Sequence, residues 1–91
     1  MAIGNLLAGA SKIVSASVNV KADQGVAIGV LCHSSTAGTL IAYDSATTTT
    51  TLPLTGTIAL VAGTYYPLPV GFGAGLYVVI GGTTSSTVFY A

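Results

Sequence analysis

Tyr65-Tyr-Pro-Leu-Pro-Val-Gly-Phe-Gly-Ala-Gly-Leu-Tyr-Val-Val-Ile80 carries two apolar stripes of period two. Tyr66, Leu68, Val70 and Phe72 form the first, and Leu76, Val78 and Ile80 the second. Side chains on a strand alternate between faces, so each stripe lies on one side of a pleated strand. Gly73-Ala-Gly75 between them reads as a tight hairpin turn. Pro67 and Pro69 have no N–H to give to a ladder, which places their strand at a sheet edge or at a crossing between sheets.

The same period runs outward in both directions. Val14, Ala16, Val18 and Val20 alternate with small polar residues, and Val26, Ile28, Val30 and Cys32 form a stripe expected to face inward. Leu40 and Ala42, then Ile58 and Leu60, then Val88 and Tyr90 continue the series. Turn-forming clusters fall at 22–25, 34–38, 45–46, 62–63, 73–75 and 81–85. Helix formers are sparse: there is no Glu and no Arg, and only residues 3–10 have the makings of a short helical turn. The expected fold is all-β, a small antiparallel β-sandwich or barrel of about seven to eight short strands. Residues 1–10 form an N-terminal arm and residues 11–91 a single domain.

Composition narrows function by exclusion. The chain has 91 residues, of which 4 % are charged, and a net charge of zero; ordinary soluble domains carry about 25 %. Two lysines make no electrostatic footprint for nucleic acid, and two aspartates offer little to a hard cation. Disorder does not fit, because 27 residues are Leu, Ile, Val or Phe. One cysteine forbids an internal disulfide and favours assembly in a reducing cytoplasm. The opening residues lack the positive charge and unbroken apolar stretch of a secretory signal. No run approaches the roughly 20 apolar residues of a membrane helix, so no membrane partner is expected.

Candidate chemistry is thin. Cys32 and His33 are adjacent, so on a strand they point to opposite faces and make no thiolate–imidazole dyad unless a bulge intervenes. A turn at Ser34–Gly38 would pair Cys32 with Leu40 and His33 with Thr39, and would put Asp44 opposite Ile28, on the order of 17 Å from His33. That is too far to orient the imidazole. One Cys and one His do not make a zinc site. Gly71-Phe-Gly-Ala-Gly75 lacks the helix and spacing of a phosphate-binding loop. In the same register Gly29 would lie under Tyr43, an aromatic covering a strand glycine. The run Thr47–Thr51 is a single rank, too little for an ice-binding array, and reads as a solvated or partner-facing β segment. No enzyme, cofactor or metal site is expected.

The shortage of charge is itself informative. Soluble monomers guard sheet edges with charged side chains and keep their net charge away from zero. Residues 45–91 contain no charged side chain. The composition is that of an assembly subunit, and the isolated chain is expected to associate with itself. Ile3, Leu6 and Leu7 of the arm are the expected docking residues, with too small a core of their own to enter.

Gly38-Thr-Leu-Ile-Ala-Tyr-Asp44, Gly56-Thr-Ile-Ala-Leu60, Gly75-Leu-Tyr-Val-Val-Ile-Gly-Gly82 and the closing Val88-Phe-Tyr90 resemble small β-sandwich structural proteins of tailed bacteriophages. The resemblance covers residues 25–91. It implies a non-enzymatic virion protein assembled in the host cytoplasm: a capsid decoration (cement) protein that oligomerises and binds the major capsid protein or another virion protein. The alternative is a subunit of a head or tail fibre acting as a receptor- or glycan-binding module.

Overall fold

The computed structural model describes residues 10–91. It is all-β, with one antiparallel sheet and no helix among the described residues. The six strands are β1 (Ala10–Val14), β2 (Val18–Lys21), β3 (Gly25–Asp44), β4 (Ile58–Ala59), β5 (Tyr65–Phe72) and β6 (Leu76–Tyr90). β3 and β6 pair along their length and form the centre. β1 and β2 follow one another along the free side of β6, and β5 and β4 along the free side of β3.

Six strands stand where seven to eight short ones were expected, because two of the anticipated turns are bends inside continuous strands. Ser34–Gly38 does not reverse the chain: β3 runs through it for 20 residues. Likewise 81–85 lies inside the 15-residue β6. The two sites meet. Thr36 pairs with Thr83 and Thr39 with Gly81, so Ala37 and Gly38 lie opposite the single residue Gly82. An extra residue in one strand bends it and sharpens its twist. Ala37 and Gly82 both take positive φ there, 53° and 69°.

The bend folds the sheet over itself. A straight strand of β3's length would span roughly 65 Å, yet the longest dimension of the molecule is 37 Å. Gly25, at the start of β3, pairs with Phe72, while Asp44, at its end, accepts a hydrogen bond from the N–H of Gly73 at 3.1 Å. The two ends of β3 thus meet neighbouring residues. β6 does the same: Lys21, paired with Leu76 at its start, donates its Nζ–H to the Ala91 carbonyl just beyond its end at 3.2 Å. One half of the sheet holds β1, the end of β6, the start of β3 and β5. The other holds β2, the start of β6, the end of β3 and β4. The sheet does not close into a barrel.

Burial follows from this fold. Val14, Val30, Cys32 and Val88 from one half share a single core with Leu40, Ala42, Leu76 and Val78 from the other. In β5 the even-numbered residues are the more buried, and the odd-numbered ones, both prolines included, are exposed. β5 pairs only with β3 among the described strands, so the prolines occupy an edge.

The stripe Val26–Cys32 is only half as expected. Val30 and Cys32 are buried, but Val26 and Ile28 are 47 % and 37 % exposed, and Ala27 is buried instead. The cause is a second bulge: Ala27 pairs with Tyr90 and Gly29 with Phe89, leaving Ile28 as an extra residue. An extra residue exchanges inward for outward positions on everything before it. Gly73–Gly75 is also not a hairpin. β5 ends on the first half of β3 and β6 begins on the second, so the loop crosses from one half of the sheet to the other.

Candidate interaction surface

Cys32 and His33 lie on opposite faces although a bulge does intervene at His33. The Cys32 side chain is fully buried, with Sγ 3.5 Å from the Ser34 carbonyl and 3.6 Å from Thr84 Oγ1. His33 is exposed on the opposite face and shares a hydrogen bond between Nε2 and Thr87 Oγ1. The partners differ from those of a Ser34–Gly38 hairpin: Cys32 pairs with Ser86 and Ser34 with Ser85, and His33 is the extra residue of a bulge. Among the described residues no three His, Cys, Asp or Glu side chains gather as metal ligands.

Asp44 lies opposite Leu76, not Ile28, and its carboxylate is occupied. It accepts N–H bonds from Ala74 at 2.8 Å, Gly73 at 3.1 Å and Gly75 at 3.3 Å. These amides, that of Ala74 foremost, favour the charged form and hold the carboxyl below its ordinary value of 3.8, partly offset by desolvation. Asp44 is therefore a clasp on the crossing loop. No local sequence signal announces it, because its partners are some thirty residues away.

The threonine run is a loop and not a strand. Ser45 Oγ accepts the N–H of Thr47 at 3.0 Å and of Thr49 at 3.1 Å, which curls the chain at the start of the run. Asn19 Nδ2 ties it to β2 through the Ser45 and Thr47 carbonyls. The hydroxyls are thus not set out at strand spacing.

The remaining feature is the outer face of the half-sheet built on β1 and β5. One cross-strand row reads Ile13, Thr87, Leu31, Tyr65, and the next on the same face reads Ser11, Phe89, Gly29, Pro67. Ile13 is 70 % exposed and Tyr65 46 %. Val26 and Ile28, turned outward by the bulge, extend the patch. The Tyr65 ring packs against Phe89 at 6.2 Å between centroids, and its hydroxyl lies over Gly29. A Cβ at position 29 would collide with that hydroxyl, so glycine there permits the ring to lie flat on the strand. The covering aromatic is Tyr65 and not Tyr43, which instead packs on Tyr77 at 6.3 Å on the other half. This half-sheet thus shows large apolar side chains on both faces, the outer one interspersed with Ser11, Thr87 and His33. Sequence parity concealed the face, since Val26 and Ile28 read as core. Ile3, Leu6 and Leu7, the expected docking residues, lie outside the described residues.

No family model, curated protein or solved structure matches the chain.

Proposed function

We propose that the chain is a non-enzymatic virion structural protein, a capsid decoration subunit whose folded sheet acts as a small β-sandwich that binds the shell. The observation that carries the reading is the second apolar face. A soluble monomer rarely displays a contiguous apolar patch beyond a few hundred Å², and such patches mark interaction sites. Ile13, Val26, Ile28 and Tyr65 are exposed apolar side chains on this one face, with no Lys, Arg, Asp or Glu among them. The near absence of charge and the resemblance of residues 25–91 to phage structural proteins supply the setting. In that setting the ligand is another protein surface, and binding proceeds by burying apolar and small neutral side chains at the junctions between coat subunits.

The test is mass spectrometry of purified particles made by the genome that encodes the chain, with copy-number estimation. Hundreds of copies per particle support decoration of the shell. A few to some tens would move the chain to a fibre or tail, where glycan-array binding tests the receptor role. Absence from the particle refutes the virion reading.

A further inference from the structure

The described strands show an uneven defence against self-association. The two lysines, the only cations among the charged side chains, both lie on outermost strands: Lys12 in β1 and Lys21 in β2. Lys12 pairs with Val88, which places it on the core-facing side of the edge, where a charge opposes the docking of a further strand. On the opposite margin β5 carries Pro67 and Pro69, and β4 is two residues long. Each of these devices blocks edge-to-edge pairing. No such device stands on the outer face of the β1–β5 half.

We infer that this face, bearing Ile13, Val26, Ile28, Leu31, Tyr65 and Phe89, is where a second copy of the chain docks, sheet face to sheet face. The inference rests on the assembly reading above and adds the surface and the partner. Two arguments select a second copy. The first is charge. A two-fold contact brings each group against its own kind, and the face carries no Lys, Arg, Asp or Glu; its one imidazole, His33, is hydrogen-bonded to Thr87. The second is area. Three strands of about eight residues and the five-residue β1, about 4.8 Å apart, present on the order of 450 Å² in projection. Two such faces bury on the order of 900 Å², the size of weak, transient interfaces. That size gives a reversible dimer that forms as the local concentration rises, as it does on a particle surface.

The experiment is sedimentation equilibrium of the full chain from micromolar to hundreds of micromolar, at low and high salt. The expected result is a monomer–dimer equilibrium that salt leaves unchanged or tightens, since there are few charges to screen. Ile13→Glu is expected to weaken dimerisation by at least about tenfold, because a carboxylate buried without a partner is disfavoured. Ile28→Thr, which adds no charge, should weaken it several-fold. Leu52→Glu and Val61→Glu change equally exposed apolar residues outside the face and should leave the equilibrium unaltered. Circular dichroism confirms that each variant is folded. A chain that stays monomeric throughout overturns the inference, as does equal weakening by the Leu52 and Val61 variants, or dissociation by salt. None of these results bears on copy number in the particle, so the virion reading fails or stands separately.

Discussion

The bend between β3 and β6 turns on Gly82, and Gly82→Ala isolates its contribution. Gly82 has φ 69°, and a Cβ built on it runs into the Ala37 carbonyl group, with Gly38 Cα 3.1 Å away. Holding an L-residue in the left-handed region costs about 1–2 kcal/mol. Forcing a methyl against the Ala37 backbone costs about 1–3 kcal/mol more, since backbone cannot swing aside as a side-chain tip does. The expected loss is therefore about 2–5 kcal/mol, a large share of the roughly 5–15 kcal/mol that holds a domain together. In a chain of this length 1 kcal/mol moves the midpoint by about 4–8 °C, so Tm should fall by at least about 8 °C. Gly56→Ala is the matched control. Nothing lies within 4 Å of its added Cβ, and its φ is not positive. There the same methyl restricts only the unfolded chain and should stabilise by about 0.4–1 kcal/mol. Far-UV circular dichroism with urea and heat measures both variants. A Gly82→Ala protein within about 0.5 kcal/mol of the parent, or equal losses at the two positions, would refute the bend as the point on which the fold turns.

Asp44 predicts an acid limb to stability. Its carboxyl is held below the ordinary value in the folded chain, so its contribution is full above the unfolded pKa and lost as pH falls through the folded one. The urea midpoint should drop on acidification below about pH 4, and Asp44→Asn should lower stability at neutral pH and flatten that limb. Cys32 is fully buried, so its thiol should react with Ellman's reagent only as fast as the chain opens, and Cys32→Ala should cost about 1–2 kcal/mol in urea unfolding. Lys12→Thr removes a guard from β1 without touching the core. It should leave unfolding within about 0.5 kcal/mol of the parent but shorten the lag of thioflavin-positive assembly on prolonged incubation.

Period-two alternation made the strand class legible, and Pro67 and Pro69 made the β5 edge legible, because both signals are local. Cys32 and His33 do part, but a bulge at His33 that the sequence did not announce lies between them. Ser34–Gly38 and 81–85 were misleading for a physical reason: small and glycine residues supply positive φ to a reversing turn and to a bulge alike. The strand opposite decides which, and that strand is more than forty residues away. Parity failed at Val26 and Ile28 for the same cause, since one extra residue in β3 exchanges inside and outside. The glycine-under-aromatic device at Gly29 was readable, but its partner was not, because a hairpin register at Ser34–Gly38 led to Tyr43 and the actual ladder leads to Tyr65. The outer face was hidden with it: Val26 and Ile28 looked like core until the bulge was seen.

The scarcity of charge takes on a different meaning once the strands are placed. A chain with four charged residues spread at random would leave most of its margins unguarded. Here Lys12 and Lys21 stand on the outermost strands, and Asp44 clasps the crossing loop 73–75. Three of the four thus serve positions where neutral residues would not do. The uncharged second half of the sequence is protected by other means: β5 by its prolines, β4 by its brevity, and β6 by lying between β3 and a second strand, β2 over 76–78 and β1 over 86–90. Edge pairing, which is open-ended and leads to fibres, is thereby opposed at both margins. Face pairing between two copies is closed, since it uses up the surface that drives it. A subunit that must be sticky in only one direction can dispense with surface charge everywhere else, and the apolar outer face between two guarded edges has that form.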